Sequence, residues 1–179
     1  MIYVFLADGF EEIEAITTID ILRRAKYNVG IVGINSNIVK GAHNIPVMCD
    51  TKQTDINYGE IEAIVLPGGM PGTINLENSE CVIKCIDYCI TNNKYIAAIC
   101  AAPSILGHIK ILRGLNATCY PGFEKELIGA KICNEAVCLD NKIITAKGPG
   151  SALLFALKIV ESISGKEFSD KIREELQCQ

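Results

Sequence analysis

The sequence predicts an α/β fold in which a mostly parallel sheet is covered by helices on both faces. Short apolar segments alternate with helical stretches from one end of the chain to the other, which is how parallel sheets are built. The apolar segments are nearly continuous rather than alternating, as strands buried on both faces should be. Hydrophobic residues make up 49% of the 179 positions and charged residues 21%. That suffices for one domain spanning residues 1–179, and no repeat or linker divides it.

In chain order, strands are expected near Ile2–Leu6, Val29–Ile34, Ala63–Leu66, Tyr95–Ile99, Ala117–Tyr120 and Ile143–Ala146. Residues 37–50, with Gly41 and Pro46, read as a small extended excursion. A hairpin is expected to turn at Asp140-Asn141, between Ala136–Leu139 and Ile143–Ala146. Helices are expected over Glu11–Arg24, Ser79–Thr91, Ala102–Ile109, Gly150–Ser162 and Lys166–Leu176. In the first of them Ile13, Ile16, Ile19 and Leu22 form one apolar stripe. In the second, Val82, Ile83, Ile86 and Ile90 do the same. Cys81, Cys85 and Cys89 repeat every four residues on that helix. Their spacing is neither that of a structural zinc site nor that of an iron–sulfur cluster, so they read as a buried stripe.

Composition removes several function classes. Net charge is −4, from 17 basic and 21 acidic residues, so a polyanion is repelled on average. Tryptophan is absent and aromatics are 6%, which leaves little surface for stacking bases. No apolar run reaches membrane-spanning length. The opening MIYVFLADGFEE meets Asp8, Glu11 and Glu12 too early for a secretory leader. A cytoplasmic setting is therefore expected, with the nine cysteines reduced rather than paired. Neither nucleic acid nor membrane is expected as a partner, and no metal or cofactor is called for.

Ligands in such sheets sit beyond the carboxyl ends of the strands, and three strand ends carry chemistry. The segment Leu6-Ala-Asp-Gly-Phe-Glu-Glu-Ile-Glu14 places Glu14 beside the apolar stripe. There it is either a half-buried acid with a raised pKa or a solvated first-turn acid favoured by the helix dipole. The segment Val65-Leu-Pro-Gly-Gly-Met-Pro-Gly72 puts Gly68 and Gly69 after a strand, where backbone N–H groups can face outward to hold an anion. It equally fits a plain tight turn. The segment Tyr95-Ile-Ala-Ala-Ile-Cys-Ala-Ala-Pro103 runs a strand into Cys100 and at once into a helix. That is the strand–nucleophile–helix elbow, with small neighbours where a cramped turn needs them. A helix N-terminus also acidifies a thiol, although a buried structural cysteine would satisfy the same spacing.

These segments also carry a resemblance. ADGFEEIEAITTIDILRRA, VLPGGMPG, AAICAAPSIL, ATCYPGFE, ITAKGPG and FALKIVESISGKE, in this order and spacing, resemble the ThiJ/PfpI family, in the branch of the Parkinson-linked protein DJ-one. The resemblance implies a flavodoxin-like three-layer α/β/α sandwich and a homodimer. It also implies a low-pKa cysteine paired with a protonated glutamate. Cys100 takes the nucleophile position and Glu14 the glutamate position, while Gly69 and Ala101 supply the oxyanion-pocket amides. Protease-like relatives carry histidine directly after the cysteine, where this chain has Ala101, so peptidase activity is not expected. Animal members that handle aldehydes carry histidine where this chain has Tyr120, a poor base at neutral pH with an ordinary pKa of about 10. His43 reads as a loop residue able to reach the pocket, and His108 as a helix-packing residue. Cys119 lies beside the pocket, as a resolving thiol or as core packing. Pro149, in Lys147-Gly-Pro-Gly150, shapes the pocket rim.

Acidifying a thiol by about 3 units raises its ionised fraction at pH 7 roughly 30-fold. It also costs roughly 20-fold in nucleophilicity per thiolate. An enzyme therefore needs something more, such as an oxyanion pocket. Two functions follow. One is cofactor-independent processing of α-oxoaldehydes or their protein adducts, glyoxalase- or deglycase-like, with a small aldehyde or glycated adduct as substrate. The other is a redox sensor or stress chaperone in which Cys100 is oxidised.

Overall fold

The computed structural model describes residues 1–178. Five strands of the expected set form the body of a six-stranded sheet: β1 (Ile2–Leu6), β2 (Val29–Gly33), β5 (Ala63–Leu66), β6 (Tyr95–Ile99) and β10 (Ile143–Ala146), with β9 (Val137–Asp140) added at one edge. The order is β2-β1-β5-β6-β10-β9. Every pairing is parallel except β9 with β10, which is the expected hairpin. Its turn is made by Asn141, whose φ of 53° is the left-handed conformation that asparagine tolerates. The excursion at 37–50 is a second hairpin, β3 (Ile38–Lys40) against β4 (Pro46–Met48).

Alternation along the strands sends side chains into two cores. Ile2, Val4 and Leu6 face α1 (Glu12–Arg24), α5 (Ala152–Ser164) and α6 (Lys166–Glu175). Tyr3, Phe5 and Ala7 face α2 (Gly72–Glu77), α3 (Glu80–Thr91) and α4 (Pro103–His108). The result is the α/β/α sandwich. Ser79 caps α3 by accepting the Val82 N–H at 3.4 Å. Among the described residues no helix is long and apolar enough to cross a membrane.

Three expectations are corrected. Ala117–Tyr120 does not join the main sheet. Only Asn116–Ala117, β7, is extended, and it pairs with β8 (Lys131–Ile132) in a separate two-stranded sheet. The free edge of β10 is already taken by β9. Thr118 instead gives its N–H to Thr145 Oγ1 at 2.9 Å, and Tyr120 gives its N–H to the Cys100 carbonyl at 2.8 Å.

The stripe on α1 is also rotated. Ile19 and Leu22 are buried with Ala15, Thr18 and Ile21, but Ile13 is 55% and Ile16 43% exposed. Glu14, fully buried, takes the inward position instead. On α3 the buried line is Val82, Cys85, Ile86 and Cys89, with Ile90 turned to solvent and Cys81 half-buried at its edge. The short helix α2, after the Gly-Gly turn, has no counterpart in the sequence expectation.

Candidate active site

β1 and β5 are neighbours, and the connection from β1 runs to β2 on one side while that from β5 runs to β6 on the other. Crevices at such a point bind ligands in open α/β sheets. Four strand ends meet there: Gly9 to Glu14 after β1, Gly68 and Gly69 after β5, Cys100 after β6, and Gly148 after β10.

Cys100 has φ 66°, a conformation that costs a non-glycine residue energy and recurs at nucleophile elbows. The turn is held on both sides. The Cys100 N–H donates to the Ala146 carbonyl at 2.9 Å, and the Cys100 carbonyl accepts from Tyr120. Ser104 Oγ donates to the Ala101 carbonyl at 2.7 Å. The thiol is half-buried, and the backbone N–H groups of Gly69 and Ala101 act on it in favour of the thiolate.

Glu14 reaches this sulfur from the first turn of α1. Its Oε2 accepts the Gly68 N–H at 2.7 Å, and its Oε1 is buried with no hydrogen-bond partner. Gly68 is what lets the two side chains meet. A Cβ there would stand 2.6 Å from Cys100 Cβ and 2.8 Å from Glu14 Oε2. Gly69, at φ 89°, passes so close to Gly9 and Glu11 that a side chain would collide with both backbones.

Burial pushes the Glu14 carboxyl up to about 7, against the pull of the Gly68 N–H and the Cys100 thiol. For Cys100 the direction is opposite to the acidified thiol that the sequence suggested. Burial and the Glu14 carboxylate push it up, to about 12, while the Gly69 and Ala101 N–H groups pull it down. A six-residue α4 contributes little dipole to offset this. Carboxylate and thiolate in contact cannot both ionise at ordinary cost. The pair is therefore a shared-proton unit, in which a protonated Glu14 removes the charge that opposes the thiolate.

Cys100, Glu14, Gly68, Gly69, Ala101 and Tyr120 are thus brought together. Tyr120 is half-exposed, and its ring edge lies 3.0 Å from where a Gly148 Cβ would stand. That same point is 4.0 Å from the Cys100 sulfur. Gly148 is therefore a wall residue of the Gly-Pro-Gly segment beside Pro149, and its lack of a side chain was the signal.

Two candidates lie elsewhere. Cys119 is buried in the core on the other face of the sheet from the one Cys100 packs against. It is therefore not placed to resolve an adduct on Cys100. His43 is held by Glu12 rather than by the site: its N–H and Nδ1 meet Glu12 Oε1 and Oε2 at 2.7 and 2.9 Å. Its ring is 69% exposed, and Glu11 Oε2 lies 3.7 Å away. Glu11, Glu12 and His43 bring their ligand atoms within 4.8 Å of one another, a grouping that could hold a metal ion. The Glu12 oxygens are already occupied by His43 and by the Ile45 N–H, so the group serves as a clasp between α1 and the β3–β4 hairpin. His108 bridges Glu77 and Glu126, tying α4 to its neighbours.

Comparison with known proteins points the same way. The model of the DJ-1/PfpI family matches residues 1–162. The chain is 36% identical over 165 residues to Arabidopsis thaliana protein DJ-1 homolog B, covering 90% of this chain and 38% of that longer one. It is 32% identical over 171 residues to the Caenorhabditis elegans glutathione-independent glyoxalase DJR-1.2, covering 93% of this chain and 89% of that one. The solved structure of oxidized Toxoplasma gondii DJ-1 superposes with a TM-score of 0.94 at 34% identity, covering 99% of this chain and 97% of that one.

Proposed function

The chain belongs to the DJ-1/PfpI family, and from that premise we propose that it is a cytoplasmic stress-response enzyme processing small α-oxoaldehydes or their adducts on protein amines and thiols. The observation that carries this reading is the contact of Cys100 with a buried Glu14 whose carboxyl titrates near 7. A worm relative bears the name of a glyoxalase.

The steps use only the chain's own groups. With its proton lodged on Glu14, the Cys100 thiolate adds to the aldehyde carbon. The Gly69 and Ala101 N–H groups receive the oxyanion as it forms. Glu14 then moves the proton from the former aldehyde carbon to the neighbouring carbon by way of an enediol, leaving a thioester on Cys100. Water hydrolyses that thioester, releasing a 2-hydroxy acid and the free thiol. A carboxyl titrating near 7 suits this role, because it gives up and takes back a proton at similar cost. Tyr120 at the rim contributes a wall rather than a base. The test is lactate release from methylglyoxal by the parent, Cys100→Ser and Glu14→Gln. Both variants should lose turnover, and release that survives Cys100→Ser overturns the reading.

A redox reading is favoured by one observation of its own. Glu14 Oε1 is buried without a partner, so a proton there can be donated to an oxygen added to the sulfur. The Toxoplasma relative bears the word oxidized in its description. Peroxide titration followed by peptide mapping distinguishes selective oxidation of Cys100 from oxidation spread over the other thiols.

A homodimer is part of the same proposal. The exposed Ile13 and Ile16 of α1 lie on the helix that Glu12 clasps to the β3–β4 hairpin, which itself exposes Ile38, Ile45 and Met48. Sedimentation of the parent and of Ile16→Glu tests it, and a monomeric parent at micromolar concentration would refute it.

A further inference from the structure

A cavity of about 260 Å³ lies at the end of the sheet away from Cys100. There the amino ends of β6 and β10 meet the last turn of α3 and the segment after α4. Ile90, Ile96, Ile111, Leu115 and Ile143 make its walls. Ile96 and Ile143 stand opposite each other on parallel neighbours, so both face the α3 side of the sheet.

The polar groups come from two matching turns. β6 is entered through Asn93-Lys94 and β10 through Asn141-Lys142, and all four residues line the cavity. The two asparagines turn the chain with φ 54° and 53°. The two lysines then diverge. Lys142 lays its ammonium over the Tyr95 ring, 3.9 Å from the centroid, and Tyr95 packs against the core on the other face. Lys94 comes two residues before Ile96, which puts it on the cavity side. It is half-buried, and its charge reaches the Cys89 thiol in the cavity wall.

Lys94 has no carboxylate partner among the described residues, whereas Lys84, Lys158, Lys166 and Lys171 each have one on their own helix. No acidic side chain lines the cavity. Asp140, beside the second turn, is engaged elsewhere: its Oδ2 accepts both the backbone and the side-chain N–H of Asn116 at 2.8 Å. The negative end of α3 is blunted as well, because the Tyr88, Cys89 and Ile90 carbonyls accept the N–H groups of Asn92, Lys94 and Asn93.

We propose that this cavity binds a medium-chain monocarboxylate, with its alkyl chain among the isoleucines and its carboxylate on the Lys94 ammonium. An apolar pocket with a few polar groups at hand is the usual form of a small-molecule site. The walls are aliphatic and no aromatic ring lines them, so they offer a chain contact area but no stacking surface. The volume equals about nine waters at roughly 30 Å³ each, which suits a ligand of about ten non-hydrogen atoms such as octanoate. A half-buried ammonium without a counter-ion gains from a charge-assisted bond to the carboxylate. The site shares no residue with the Cys100 pocket, and its test does not depend on aldehyde chemistry.

The experiment titrates octanoate, butanoate and 1-octanol into the full chain with isotope-labelled isoleucine methyl groups, and NMR reads affinity and location together. Octanoate should bind with Kd below about 1 mM. It should shift the methyl groups of Ile90, Ile96, Ile111 and Ile143 ahead of those of Ile13, Ile16 and Ile38. Butanoate, four methylenes shorter, should bind at least about tenfold more weakly. 1-Octanol, which lacks the charge, should also bind about tenfold more weakly. Lys94→Met should abolish the preference for octanoate over octanol, and Lys94→Arg should keep it. Ile90→Glu, at a position that is 45% exposed and so leaves the core intact, should weaken octanoate at least about fivefold by repelling it. No shift up to about 10 mM, or shifts led by the methyl groups of α1 and the β3–β4 hairpin, would overturn the site. Binding lost in Cys100→Ser would overturn it too, by placing the ligand at the nucleophile. An unchanged preference for octanoate in Lys94→Met would overturn the assignment of a carboxylate.

Discussion

The Glu14 carboxylate accepts the Gly68 backbone N–H at 2.7 Å, and this bond joins the first turn of α1 to the loop after β5. It holds a fully buried acid against the Cys100 side chain. Most of the site's properties follow from that one attachment.

Replacing Glu14 by Gln keeps an oxygen for Gly68 and removes the charge. The carboxylate is one of the causes that raise the Cys100 thiol, so the apparent thiol pKa should fall in Glu14→Gln. Iodoacetamide alkylation rate against pH measures this. In the parent the profile should also carry an inflection near 7 from Glu14, and the variant should lack it. An unchanged profile would mean that the two groups do not share a proton.

The same substitution should change the pH dependence of stability. Glu14 titrates at about 7 in the folded chain against 4.5 for an ordinary glutamate. Between those values the folded state holds a proton that the unfolded state has lost, so stability falls as pH rises through this window. The loss is on the order of 3 kcal/mol above pH 7. Glu14→Gln should therefore raise the thermal midpoint by several degrees at pH 8, and the gain should vanish near pH 4. Thermal denaturation at both pH values is the measurement.

Gly68→Ala should damage site and fold together. The added methyl meets Cys100 Cβ, Glu14 Oε2 and the Ile99 carbonyl, all within 2.9 Å. Crowding of this kind costs about 1–3 kcal/mol and pushes Glu14 away from the sulfur. A lowered midpoint, together with loss of the Glu14 inflection in the alkylation profile, is expected. A variant with parent-like values for both would contradict the packing described.

His43→Ala should loosen the clasp without touching the nucleophile. Glu12 and Glu11 raise the His43 pKa, so the ring's contribution is present below its ordinary value and is lost as pH rises through the folded one. Amide exchange at Ile45, whose N–H is bonded to Glu12, should quicken in the variant at pH 6 and differ less at pH 9. Cys100 alkylation should stay within about twofold, as expected for a residue with no contact to the sulfur.

The alternation of apolar runs and helical stretches was enough to predict the sheet and five of its strands, and the run from Tyr95 to Pro103 offered the elbow at Cys100 beside the reading as a structural cysteine. These features are local: a strand covered on both faces is apolar throughout, and a cramped turn needs small residues beside it. The family motifs added which acid would meet which thiol. What tertiary structure alone decided is orientation and charge. Ile13 and Glu14 are adjacent on one helix, and spacing favours the isoleucine as the inward residue. The fold turns α1 the other way, because α5 and the sheet fix its rotation and Gly68 leaves room for a carboxyl. Ala117–Tyr120 reads as a strand, but β9 had already closed the edge it would have joined. The direction of the Cys100 shift reverses for the same reason. A sequence shows that a thiol opens a helix, but desolvation and the nearness of a buried acid exist only once the chain has closed around them.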